Sequence, residues 1–243
     1  MGYYGTLTTG YQPPAVLAGL DIGRQHDPTA LALLWREMTL LGSQLEPRYL
    51  VRYLERVPLG TAYPQMVRDV RETLDLLPSA YDLIVDATGV GLAIVDLFKD
   101  MPEALRQRLS QSPTWPVPAS YRPIALTLVP GRQTTGVSAT EWHVPKRDVV
   151  FKLQVAVQQG RVQVAQGLPL APMFDKEITN FELRFSAKRE EDQYGAWREG
   201  EYDDLLLAVA IAVWWGERTA PRQLLQSQQT HARHPGNPLL TRR

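Results

Sequence analysis

Apolar runs that stop on a carboxylate give this chain its rhythm. "AVLAGLDIG" (15–23) predicts a strand ending at Asp21. "TALALLWRE" (29–37) and "RYLVRYLERVPL" (48–59) predict two more, with a turn at Asp27-Pro28 between the first pair. Their hairpin spacing predicts an antiparallel meander. Residues 62–77 place Met66, Val70, Leu74 and Leu77 on one face, the period of a helix. "YDLIVD" (81–86) is then a fourth strand ending on a carboxylate, Asp86. The small-residue turn "ATGVG" follows, and 90–101 reads as a helix.

Further along, a Pro-rich stretch (110–123) punctuates the chain, "IALTLV" (124–129) predicts a strand, and 131–145 reads as a loop. Residues 146–160 predict a helix closed by Gly160, 161–165 a short strand, and 171–185 a helix that becomes extended. The charged stretch 186–202, centred on Gly195, predicts an exposed hairpin, and "DDLLLAVAIAVWW" (203–215) a closing helix. A meander followed by a β-α-β passage predicts an α/β fold: a mixed sheet with helices on its faces. Residues 1–14 read as a flexible leader, 15–218 as one domain and 219–243 as a disordered tail.

Composition removes several classes of function. The 243 residues suffice for a real core. Lys plus Arg equals Asp plus Glu at 26 each, so any grip on nucleic acid must be local or assisted. There is no cysteine, which excludes disulfides, thiolate metal sites and cysteine nucleophiles. The N-terminus has no secretory pattern, and its match to a myristoylation pattern through Gly2 and Thr6 is too short to carry weight. The longest apolar run, "LLLAVAIAVWWG", is about half a membrane span, so no membrane is expected.

Asp21, Asp86 and the pair Asp203-Asp204 stand out because apolar sequence surrounds them. Each has a structural reading: a turn after Asp21, an Asx-turn at Asp86, an N-cap at Asp203 and a dipole partner in Asp204. They also have a joint reading. If the first and fourth strands are parallel neighbours, Asp21 and Asp86 meet at their carboxyl ends, where open α/β sheets bind ligands. The last helix would deliver its N-terminal acids to that edge. Clustered carboxylates repel, and divalent cations relieve the repulsion.

Four pieces in this order resemble the nuclease domain of phage large terminases, within the ribonuclease H-like (retroviral integrase-like) superfamily. They are "GLDIGRQHDPTALALL", "LIVDATGVGLAIVDLF", the stretch from Phe151 to Phe185, and "EYDDLLLAVAIA", where Tyr202 stands in place of the family's usual His. The resemblance spans about 15 to 216. It implies a ribonuclease H-like mixed sheet with helices on both faces. It also implies a metal-dependent endonuclease cutting double-stranded DNA during bacteriophage genome packaging, in the cytoplasm of a bacterial host. Asp21, Asp86, Asp203 and Asp204 would be catalytic and would ligate two Mg2+ or Mn2+ ions. Arg24, Lys188 and Arg189 would line the DNA path. A packaging ATPase domain or subunit, a portal and a small terminase would be partners; no G-x-x-x-x-G-K-[ST] loop occurs, so this is an excised domain or a free-standing nuclease. Two alternatives stay open: a non-catalytic DNA-binding or assembly module, and a Holliday-junction-resolvase-like nuclease. His26, His143, His231 and His234 lack metal-ligand partners in the pattern, and Trp214-Trp215 reads as packing.

Overall fold

A computed structural model describes residues 15–23, 27–42, 44–111, 117–187 and 203–220. The predicted leader, the 186–202 hairpin beyond its first two residues and nearly all of the tail lie outside the described residues, as do Arg24, Lys188, Arg189 and Tyr202.

The meander forms as expected. β1 (Val16–Asp21), β2 (Thr29–Leu41) and β3 (Gln44–Val57) pair antiparallel in chain order. β2 and β3 are longer than their apolar runs, because the ladder continues through Arg36 and Glu37 to a tight turn at Leu41 and Gln44. β4 (Tyr81–Asp86) lies parallel to β1, and β5 (Ile124–Val129) parallel to β4. Among the described residues one sheet results. Its order is β6-β7-β5-β4-β1-β2-β3-β8, with β6 (Thr135–Gly136), β7 (Glu141–Pro145) and β8 (Val162–Val164) toward the edges. An antiparallel meander beside parallel β4 and β5 makes this a mixed α/β sheet, as expected.

Alternation along the central strands explains the two layers of helix. Ala18 and Leu20 of β1, with Leu83 and Val85 of β4, face α1 (Tyr63–Asp75) and α2 (Gly91–Lys99). Leu17 and Ile84 point to the other face, against α4 (Lys146–Gln158) and α6 (Asp204–Thr219). Burial on both sides is why β1 and β4 read as unbroken apolar runs. α6 is buried from Asp204 through Glu217. It reaches β1 through Gly19, where an added Cβ would stand 1.9 Å from the Ala208 carbonyl oxygen.

Two expectations are corrected, and one helix is added. The 131–145 "loop" contains β6 and β7; with only Val144 and Pro145 buried, β7 lacks the apolar run that announces a strand. The stretch from 171 stays helical through Ala187 as α5 (Ala171–Ala187) instead of becoming extended. α3 (Glu103–Gln111) was not foreseen: it buries no residue and so leaves no apolar stripe. Among the described residues no helix is long and apolar enough to cross a membrane. Trp214 and Trp215 pack with Trp142, ring centroids 6.3 Å apart in each case, and the Trp215 indole N–H donates to Asp82 at 2.7 Å.

Candidate active site

Each acid is brought to the sheet edge by a local device. After Asp21 the chain leaves β1 through a turn in which the Gly23 N–H donates to Thr29 Oγ1 at 3.0 Å. After Asp86 the "ATGVG" turn begins, and the Thr88 N–H donates to Asp86 Oδ1 at 2.8 Å. Thr88 Oγ1 in turn accepts the Leu128 N–H at 2.9 Å, tying the turn to β5. Gly89 takes φ +64°, and Gly91 lets α2 start against the end of β4: a Cβ there would meet the Asp86 carbonyl oxygen at 2.0 Å. The Asx-turn is therefore present, and it occupies one oxygen of Asp86.

Parallel pairing of β1 and β4 in the register Leu20 to Val85 sets Asp21 beside Asp86. Both carboxyls are almost fully buried. Burial pushes the Asp21 carboxyl well above its usual range, and the charges of Asp86 and Asp203 push it further. Burial also raises Asp86, opposed by the Thr88 hydrogen bonds, and raises Asp203, opposed by Lys146. Lys146, the first residue of α4, holds its Nζ 3.5 Å from Asp203 Oδ2 and also favours the ionised forms of Asp21 and Asp86. Asp203 Oδ2 is buried and accepts no hydrogen bond.

The adjacent acids Asp203 and Asp204 part company. Asp203 pairs with Lys146, and its charge helps to raise the Asp21 carboxyl. Asp204, buried behind it, receives Arg56 through Nε at 2.7 Å and Nη2 at 2.8 Å. The same Nη2 lies 2.6 Å from Glu177 Oε1 on α5. Burial raises the Glu177 carboxyl to about 8, although Arg56 and the Leu206 N–H both favour its charge.

Oxygen donors of this kind suit a hard divalent cation, and Asp203 Oδ2, buried with the Lys146 charge 3.5 Å away and no hydrogen bond, could take one in exchange. Asp21, Asp86 and Asp203 fit such an ion in their chemistry. Among the described residues, however, no group of three or more His, Asp or Glu side chains stands close enough together to hold one. Lys146 is the positive charge among them. His143 is exposed on β7.

Lys146, Arg56 and Glu177 escaped the sequence reading. A faint signal existed for two of them. A lysine opening a helix is on the wrong side of the dipole, and Glu177 interrupts an apolar stripe between Phe174 and Ile178. Arg56 carried none, because its partners lie 121 and 148 residues away.

No family model matches the chain, and no curated protein matches it. Among solved structures it is similar to the large terminase nuclease from thermophilic phage G20c, at 16% identity and a TM-score of 0.45, covering 82% of this chain and 81% of that one. The same nuclease with bound magnesium aligns at 17% identity and a TM-score of 0.44, covering 84% and 82%. The manganese-soaked human cytomegalovirus terminase nuclease domain aligns at 15% identity and a TM-score of 0.45, covering 88% and 90%.

Proposed function

We propose that the chain is a divalent-metal-dependent endonuclease that hydrolyses phosphodiester bonds of double-stranded DNA, of the terminase type. The observation that supports this reading is Asp21 beside Asp86, with the charge of Asp203 acting on Asp21. They come from two parallel strands and a distant helix, at the edge where an α/β sheet binds ligands. These are the residues that would hold Mg2+ or Mn2+. Two such ions would activate a water and stabilise the leaving oxygen of the scissile phosphodiester. Asp204 would support Asp203 from behind through Arg56. Lys146 would balance the carboxylates before a cation arrives and face the phosphate afterwards. Arg24, Lys188 and Arg189 would contact the DNA backbone. With zero formal charge, the chain would depend on a packaging ATPase, with portal and small terminase, to bring DNA to it.

A second reading is favoured by the absence of a ready three-ligand group among the described residues: a DNA-binding or assembly module in which Lys146 permanently neutralises the acids. Cleavage of supercoiled plasmid in Mg2+, Mn2+ or EDTA separates the two. The nuclease reading expects metal-dependent nicking and linearisation that Asp86→Ala lowers at least about a hundredfold, since even partners of metal ligands cost 10–100-fold. Folded wild type that cuts with neither metal favours the module. Preference for branched over linear duplex would point to a resolvase.

A further inference from the structure

An Asp at a helix N-cap ordinarily turns its carboxylate inward, to accept the N–H of the second or third helical residue. Asp203 is the N-cap residue of α6, yet its side chain makes no such bond. The N–H it would take, that of Leu206, donates instead to Glu177 Oε2 at 2.8 Å. Glu177 comes from α5, 29 residues upstream. Its second oxygen is held by Arg56, which also grips Asp204, the first residue of α6. With that amide satisfied by another helix, the Asp203 carboxylate is left to pair with Lys146.

We propose that Glu177, held by Arg56, caps α6 in place of Asp203 and so leaves the Asp203 carboxylate turned out from the helix to Lys146. Glu177 is thus a positioning residue, and Asp203 is spared from capping for work at the site. The purpose of this arrangement rests on the nuclease reading; the capping exchange itself does not.

Two readouts on the metal-free chain and its variants test it: amide hydrogen exchange at Leu206, and Mn2+ titration followed by electron paramagnetic resonance. Asp203→Ala alone should leave Leu206 protection within about twofold of wild type, because Asp203 is not the cap. In a Glu177→Ala background Asp203 is free to swing in and cap. There, adding Asp203→Ala should lower protection about fivefold or more. Glu177→Ala should weaken Mn2+ binding about tenfold or more, and Glu177→Gln, whose carbonyl oxygen still accepts the Leu206 N–H, should restore it to within about threefold. A fivefold loss of protection from Asp203→Ala alone overturns the proposal. So does Glu177→Ala binding Mn2+ as wild type does. If wild type binds no Mn2+, the nuclease reading fails, while the exchange data still decide the cap. Should Glu177→Ala not fold, the Asp203→Ala exchange result decides alone.

Discussion

Asp21 ends a strand in which every residue is buried, beside a second buried carboxyl and within the field of a third. Its ionised form is disfavoured first by lost solvation and then by its neighbours, and Lys146 opposes both. The side chain is best explained by what it could bind, since a neutral isostere would suit the fold better. Asp21→Asn is therefore expected to raise the urea midpoint of the metal-free chain, more at pH 8 than at pH 5, because the raised carboxyl makes its ionised form costlier as pH rises. The same substitution is expected to lower metal-dependent cleavage at least about a hundredfold. Equilibrium unfolding at the two pH values and the plasmid assay check both halves. A midpoint that falls equally at both would mean that the Asp21 carboxyl serves the fold and not a ligand. This residue was legible in the sequence because a carboxylate closing an apolar run is conspicuous. Arg56 and Glu177 were not, since their meaning lies in partners that no local period connects.

Among the elements, α6 decides where the acids meet, and it is pinned at both ends. Glu177 and Arg56 hold its start. At its end, Glu217 accepts from Arg161 at 2.5 Å and from Tyr49 at 3.1 Å, and Arg36 donates to the Gly216 carbonyl at 3.2 Å. Between the ends, Gly19 lets the helix backbone rest on β1. Gly19→Ala cannot be absorbed by a side-chain shift, because the obstacle is the Ala208 carbonyl. It is expected to cost about 1–3 kcal/mol, the usual price of overpacking, or more. It should also lower cleavage in the molecules that remain folded, by shifting Asp203 away from Asp21. Urea unfolding with the plasmid assay checks this, and wild-type stability would mean that α6 tilts freely. The elements with strong periodicity, β1, β4, α1 and α6, were read directly. β7 was missed because its short, mostly half-exposed sequence carries no period. The close approach at Gly19 was missed because one glycine in an apolar strand does not say what lies above it.

Over the whole molecule the formal charge is zero, but several acids are buried. Asp21, Asp86, Asp203, Asp204 and Glu177 are all pushed above their ordinary range, in each case first by burial. The folded state therefore keeps protons that the unfolded chain has already released. Stability from these groups is fully present below the ordinary carboxylate range and is lost as pH rises through the folded values. For Glu177 that window runs from the ordinary 4.5 to about 8. The metal-free chain is expected to melt at a lower temperature near pH 8.5 than near pH 5.5, with a shallower decline in Glu177→Gln, which has no proton to lose. A cation that binds only the folded, ionised carboxylates adds about 2.7 kcal/mol at a hundred times its dissociation constant, and it does so most where those groups are deprotonated. Saturating Mn2+ should therefore flatten the decline, raising the midpoint more at high pH than at low. Thermal melts across that range with and without Mn2+ measure both slopes. A melting temperature that rises with pH would mean that Lys146 and Arg56 already neutralise the acids. A decline that Mn2+ leaves unchanged would mean that the acids are strained but hold no metal, and would favour the binding module over the nuclease.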